Sequence, residues 1–390
     1  MIHRAKFQNF KALQNVQVTF DMPLTVLVGP NGCGKTSILE GIHYASQFAI
    51  GRTKEQIFTG GYRLDFYASS AARQSEGPRP DVLVETTFME DKVGWNFRFR
   101  ATQVPQDGEF KSSGDDGWRC STQHNRVNEA EWVTHARKQD IPPPVRRLGS
   151  AQFLYLDAGR MSAPTYSDES PPRMRADGDF LPSVLAYLSL NQPDKFRELV
   201  QSIAQIVPTV RGIRFDRVPF HRLGTETQKV DGKDYVRDVP QRFMGEVLLY
   251  DFANAPGVQG TMVSEGTLFV TGLLTAMLSP TRPRLLLLDD LDKGLHPKAQ
   301  GELIALMKRL LAAEKDLQII ATSHSPYILD KLQPDEVRVV ALRDDGTAAC
   351  APLKDHPKYP MWKDSMSPGE FWTHAGEDWV KHLTPQAPNE

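Results

Sequence analysis

The segment Gly29-Pro30-Asn31-Gly32-Cys33-Gly34-Lys35-Thr36, followed by Ser37, sets glycines, a cation and hydroxyls at a spacing suited to holding phosphate. Glycine-rich backbone lets N–H groups converge on phosphate oxygens, and a helix beginning at the same point adds a favourable dipole. Lys35 then reaches the β- and γ-phosphates, and the Thr36 hydroxyl is suited to ligate Mg²⁺. Cys33 reads as a spectator, because the loop works through its backbone. A second segment, Leu285-Leu286-Leu287-Leu288-Asp289-Asp290, ends an apolar run in two acids. Asp289 would complete the Mg²⁺ shell, and Asp290 would polarise an attacking water. His324 follows another apolar run, Ile319 to Thr322, and taken alone reads as a satisfied structural histidine. The chemistry predicted is binding and hydrolysis of a nucleoside triphosphate with Mg²⁺, with Lys35 and Asp290 as the reacting groups.

These groups act together only if the fold delivers them to one place. Leu24–Val28 is apolar throughout and predicts a buried strand before the loop; the spacing of Ile38, Leu39, Ile42 and Ala45 predicts a helix after it. Strand, loop and helix in that order are the context in which such a loop holds phosphate. Farther along, helix and strand patterns alternate over 266–278, 284–289, 298–313 and 317–322, which predicts a parallel sheet flanked by helices. Asp289 then sits at the carboxyl edge of its strand, where open α/β sheets bind ligands.

The rest of the chain reads more coarsely. Residues 2–10 and 16–20 predict short strands, and the alternation around Val82–Phe88 and Trp95–Phe99 predicts a hairpin turning at Asp91–Gly94. Residues 103–130 read as an exposed loop, 152–156 as a strand, 163–179 as loop, 196–206 as a helix, and 212–218 and 246–252 as short strands. The expected organisation is an N-terminal lobe over 1–100, an insertion over 101–250, a C-terminal lobe over 251–345 and a tail over 346–390. Three Trp in that tail (Trp362, Trp372, Trp379) fit either a partner-docking surface or core covering a sheet edge.

Composition narrows the class. A net charge of −2 gives no global basic field, so any nucleic-acid surface would have to be local. The three cysteines show no metal-ligand spacing, which fits a reducing compartment. The N-terminus has no apolar run of a secretory leader, and no run approaches a membrane span. Cytoplasm is the expected location.

Taken in order, the segments resemble ABC-type ATPases of the RecF, SMC and overcoming-lysogenisation-defect kind. The resemblance is carried by Phe7-Gln-Asn-Phe10-Lys-Ala-Leu13, the phosphate loop, Val263-Ser264-Glu265-Gly266-Thr267, Leu288-Asp289-Asp290-Leu-Asp292-Lys-Gly294-Leu295-His296-Pro297, and Ile319 to Pro326 with its His324. It implies an α/β fold: an ABC-type P-loop NTPase head with a mixed sheet, an antiparallel β subdomain, helical and loop insertions and a short C-terminal tail. Ser264 and Gly266 would be the signature that closes over ATP held by a second copy, giving a homodimer with ATP sandwiched; alone, Ser264 reads as a helix N-cap. His324 would be the catalytic switch histidine, which senses the γ-phosphate or orients water, and His296 reads as structural or as part of the dimer seam.

Departures from the pattern matter as much. The usual Glu after the Walker B Asp is Asp290, one methylene shorter, and no Gln occurs over 155–160, which leaves Arg160 as a candidate contact. No coiled coil separates loop and signature, and residues 325–390 are too few for a TOPRIM domain. Stand-alone ATPases of this resemblance act beside a separately encoded effector, often a nuclease, in prokaryotic antiphage defence, which implies a protein partner of that kind. Two alternatives stay open. One is a RecF-like repair or replication ATPase that clamps DNA, through residues such as Arg173 and Arg175. The other is a regulator that binds ATP without hydrolysing it, an alternative that Asp290 keeps alive.

Overall fold

The computed structural model describes residues 1–51, 82–90, 93–101, 118–124, 133–135, 141–230 and 233–383. The chain opens with strands β1 (Ile2–Phe10), β2 (Leu13–Thr19) and β3 (Leu24–Val28), then helix α1 (Lys35–Ala49). Next come β4 (Val82–Glu90), β5 (Val93–Ala101), β6 (Trp118–His124), β7 (Val133–His135) and β8 (Ala151–Leu154). Helices α2 (Leu181–Asn191) and α3 (Pro193–Ile206) lead to β9 (Val210–Val230), β10 (Lys233–Phe252) and β11 (Ala255–Gln259). Then α4 (Glu265–Leu278), β12 (Leu285–Leu288), α5 (Pro297–Ala313), β13 (Gln318–Ser323), α6 (Pro326–Leu329), β14 (Val337–Leu342), β15 (Ala348–Pro352) and α7 (Pro368–Ala375) follow. Among the described residues no helix is long and apolar enough to cross a membrane.

The chain divides into two compact units. The first comprises Met1–Phe153, Pro283–Asp292 and Ile304–Glu390; the second comprises Leu154–Arg282 and Lys293–Leu303. In the first unit, an antiparallel sheet runs β2-β1-β4-β5-β6-β7 and a mixed sheet runs β15-β14-β3-β13-β12-β8. In the mixed sheet β14, β3, β13 and β12 are parallel, and β15 pairs antiparallel with β14. Strands β3, β12 and β13 are buried at every residue, as strands covered on both faces must be, so they read as unbroken apolar runs. Helix α1 joins the two sheets in one core. Ile38, Leu39 and Ile42 share a cluster with Phe7 and Phe10 of β1 and with Leu27, Leu287 and Ile320 of the mixed sheet. Gly41 makes this approach feasible, since a Cβ there would lie 2.5 Å from the Phe7 ring.

In the second unit, β10 pairs with β9 over nearly its whole length and with β11 at its end. The two short strands expected at 212–218 and 246–252 are the bases of this one long hairpin. The residues between them are mostly polar, so no period-2 apolar pattern marks its extension in the sequence. The hairpin is tied to the helices by Tyr250, whose buried hydroxyl donates to Thr271 Oγ1 of α4 at 3.0 Å, and by Phe196 of α3 against Phe215 at 5.7 Å.

Most expected elements lie where the pattern put them. The loop expected over 103–130 is described only at 118–124, which form β6; its other residues, and the turn at Asp91 and Lys92, lie outside the described residues. The segment read as a tail starts inside the sheet, with Ala348–Pro352 as edge strand β15. Beyond it, Trp379 packs edge-on against His356 at 4.9 Å, and His356 packs likewise against Phe371. Trp362 is exposed.

Gln318 ties the sheets together at their far edge: its side chain accepts from Ile2 N and donates to Ile2 O, both at 2.8 Å, and is fully buried. Leucine there strands two backbone groups. Gln318→Leu is therefore expected to lower unfolding free energy by about 1–3 kcal/mol in urea denaturation; an unchanged midpoint would contradict this role.

Candidate functional site

The order β3-β13-β12 brings three strand ends to one edge of the mixed sheet. Val28 of β3 leads into Gly29, Ser323 of β13 into His324, and Leu288 of β12 into Asp289. Register fixes where each ends: Ser323 pairs with Val28, while Leu288 pairs with Ala321, so β12 ends two residues short of the other two. A parallel arrangement delivers all three carboxyl ends in the same direction, which is why residues distant in sequence meet here.

The loop itself depends on glycine. Gly29, Gly32 and Gly34 have φ of +146°, +77° and +104°. At Gly29 a Cβ would fall 2.0 Å from Val340 O, so no side chain fits there without moving β14. Gly34 is the N-cap of α1, and the loop thereby presents backbone N–H groups at the start of a 15-residue helix. Lys35 is buried, and its ammonium donates to Gly29 O at 2.9 Å and Pro30 O at 2.8 Å. These carbonyls hold the cation at the loop, where it would meet phosphate oxygens. Asn31 and Gly32 are exposed at the crown of the loop, and Ser37 is half-buried in the first turn of α1. Cys33 is buried, and burial pushes its thiol pKa up against the pull of Lys35, as suits a spectator.

The carboxylates connect to the loop through Thr36. Its hydroxyl lies 3.1 Å from each oxygen of Asp289. A hydroxyl and a carboxylate held together at the phosphate end of the loop are a donor set for a hard divalent cation, which prefers oxygen ligands. Thr36 and Asp289 would hold Mg²⁺ here, with phosphate oxygens and water completing its shell. Asp290 is exposed and has φ of +55°, a left-handed conformation that Asp tolerates better than most residues. Its Oδ1 lies 3.9 Å from His324 Nε2. Partial burial raises the pKa of Asp290, and the charge of Asp289 raises it further, while His324 opposes the shift. An acid with a raised pKa beside an imidazole is suited to general-base work.

Lys35, Thr36, Asp289, Asp290 and His324 thus share one edge of the first unit. Ser264 and Gly266 belong to the second unit, at the start of α4. Ser264 caps that helix, its Oγ accepting from Thr267 N at 3.4 Å. A Cβ at Gly266 would lie 2.2 Å from Gly294 O, so the segment after Asp292 packs directly on the helix start. His296 Nδ1 accepts from Lys298 N at 3.3 Å, a structural role at the head of α5. Arg160 lies 3.9 Å from Asp177 in an ion pair of the second unit.

Three residues of the site have partners that the motif reading did not assign. Thr322 Oγ1 donates to Asp289 Oδ1 at 2.7 Å and accepts from Asp290 N at 2.8 Å. Asp292 Oδ1 accepts from Ser323 Oγ at 2.7 Å and from His324 N at 3.1 Å. The available signal was polar Thr322-Ser323 at the end of an otherwise apolar strand, since buried hydroxyls need partners.

A carboxylate accepts a proton only when ionised, so turnover should fall as pH drops through the pKa of Asp290. That acid limb is expected above the ordinary aspartate value of 3.8, because the shift is upward. Asp290→Asn should keep the backbone, since Asn also tolerates the left-handed region, while lowering turnover about 10²–10⁴-fold. A pH–rate profile with its limb at or below the ordinary value, or an active Asn variant, would contradict the assignment.

The chain is similar to several known proteins. Short stretches match three curated proteins: "DNA replication and repair protein RecF" of Acholeplasma laidlawii (46% identical over 46 residues, 12% of this chain), "Septu protein PtuA" of Bacillus thuringiensis (38% over 62 residues, 16%) and "DNA double-strand break repair Rad50 ATPase" of Methanopyrus kandleri (44% over 45 residues, 12%). The matches span only 13%, 15% and 5% of those proteins. The solved SMC head domain from Thermotoga maritima aligns over 90% of this chain and 98% of its own, at 16% identity and a TM-score of 0.47. The family model described as "AAA domain, putative AbiEii toxin, Type IV TA system" matches residues 24–330, which include the phosphate loop, both carboxylates and His324. The chain belongs to that family of AAA-domain P-loop ATPases.

Proposed function

We propose that this protein binds and hydrolyses ATP with Mg²⁺, that two copies close around the nucleotide, and that the resulting change of shape controls a partner protein. The observation that carries the reading is the Thr36–Asp289 contact at 3.1 Å, between the phosphate loop and the apolar strand that ends in acids. Bound there, Mg²⁺ would supply charge neutralisation between the phosphates. Lys35 stabilises negative charge on the transferring phosphoryl group. Asp290 takes the proton of the attacking water, and His324, facing Asp290, holds that water or the γ-phosphate in line. Asp is shorter than the Glu usual at this position, so turnover of the isolated protein is expected to be slow.

Dimerisation is read from Ser264 and Gly266 at the start of α4, where a helix N-terminus favours an anion. The partner is read as a separately encoded effector, in keeping with the Septu PtuA stretch and with a family description that names a toxin. A setting in prokaryotic defence, in the cytoplasm, follows from the same resemblance. Direct clamping of DNA is the weaker reading. Of the basic residues named for it, Arg175 is already engaged by Asp179 at 3.3 Å and lies 4.8 Å from the centre of the Phe180 ring.

ATP turnover measured together with molecular mass tests the proposal. The wild type should hydrolyse ATP slowly, and Asp290→Ala should accumulate as a dimer in ATP and return to monomer without it. A wild type that binds ATP but neither turns it over nor dimerises would sink the reading for the isolated chain. Duplex DNA that raises turnover in an Arg173- and Arg175-dependent way would favour the clamp instead.

A further inference from the structure

We propose that Thr322 is the positioning residue of this site, a single hydroxyl that aligns the cation-side acid and the water-side acid together. The inference rests on the ATPase reading and deepens it. Thr322 is fully buried in β13, the strand between β3 and β12. Because Leu288 pairs with Ala321, the next residues along, Asp289 and Thr322, fall beside each other. A hydroxyl has one proton to give and lone pairs to accept with. Here the proton goes to Asp289 Oδ1 at 2.7 Å, the short distance of a charge-assisted bond, and a lone pair takes the Asp290 N–H at 2.8 Å.

The backbone of Thr322 adds a third link, its carbonyl accepting from Leu291 N at 2.9 Å. Residues 289 to 291 are therefore clipped in sequence to one residue of the neighbouring strand. The clip matters most at Asp290, whose left-handed backbone (φ +55°) is unfavourable for a side chain bearing a Cβ. The bond from its N–H to Thr322 holds the conformation that turns its carboxylate toward His324. It matters also at Asp289, which Thr36 and Thr322 share. If Thr36 turns to a cation, Thr322 is the hydroxyl that still orients the acid.

This role and a packing role predict opposite rankings of variants. Valine keeps the shape of Thr and loses the hydroxyl; serine keeps the hydroxyl and loses the methyl. If Thr322 only fills space, Thr322→Val is benign and Thr322→Ser is the worse. If it positions the acids, Thr322→Ser retains most function and Thr322→Val loses it. The measurements are turnover, the Mg²⁺ concentration that half-saturates binding of a fluorescent ATP analogue, and affinity for that analogue in EDTA. For Thr322→Val we expect turnover to fall and half-saturating Mg²⁺ to rise, each about 10–100-fold, with affinity in EDTA unchanged. Should the Val variant fail to fold, Thr322→Ser and Thr322→Ala, which both lack the methyl and differ only in the hydroxyl, decide the same question. A Val variant equal to wild type, or a Ser variant no better than Ala, overturns the proposal. A wild type whose analogue binding ignores Mg²⁺ overturns the ATPase reading itself, and this inference with it.

Discussion

Everything at this site depends on one constraint: three parallel strands must end at one edge in fixed register, with the histidine strand between the loop strand and the acid strand. A shift of one residue in β13 against β12 would carry Thr322 to the opposite face and break its bonds to Asp289 and Asp290. The same shift against β3 would move His324 relative to the phosphate loop. Register is therefore a functional quantity here. It is enforced by burial on both faces of the sheet, since every residue of β3, β12 and β13 lies in the core.

The burial that fixes the register also explains why so few polar groups suffice. The buried hydroxyls of Thr322 and Ser323 must find partners, and the acids that follow the neighbouring strand are within reach. Thr322 with Asp289 and Asp290, and Ser323 with Asp292, satisfy one another across adjacent strands. The outcome is a preorganised set of acids at the edge where the loop presents Lys35 and Thr36. Helix α1 adds rigidity behind the loop, because it is buried against both sheets and cannot tilt without disturbing Phe7 and Phe10. Thr36, Asp290 and His324 are exposed at that edge, as the proposed roles require.

The parts of the fold that were legible in the sequence are those where burial is strong on a regular period. Leu24–Val28, Leu285–Leu288 and Ile319–Thr322 announce themselves as apolar runs, and the acids and histidine after them mark the functional edge. What escaped was of two kinds. Long strands such as Val210–Val230 run into polar sequence beyond the first residues, where a period-2 pattern fades. Strands β14 and β15 escaped because their small and mixed residues, with a buried Arg338 among them, resemble no simple alternation. Arg338 makes sense only in three dimensions, where it donates to Thr19 O at 2.7 Å and Asp335 O at 2.7 Å. Pairwise partners such as Thr322 with Asp289 were likewise beyond a one-dimensional reading, since they arise from strand order and not from local spacing.

The central claim is that the loop, with Lys35 on its own carbonyls and Thr36 on Asp289, is a nucleotide site. A crystal structure with Mg²⁺ and a non-hydrolysable ATP analogue tests it most directly. The account predicts phosphates in the cradle of Gly29 to Thr36, with Lys35 Nζ moved from the carbonyls of Gly29 and Pro30 to phosphate oxygen and Thr36 moved from Asp289 to the cation. Nucleotide bound elsewhere, or a cradle that stays empty with both contacts intact at saturating analogue, would contradict it.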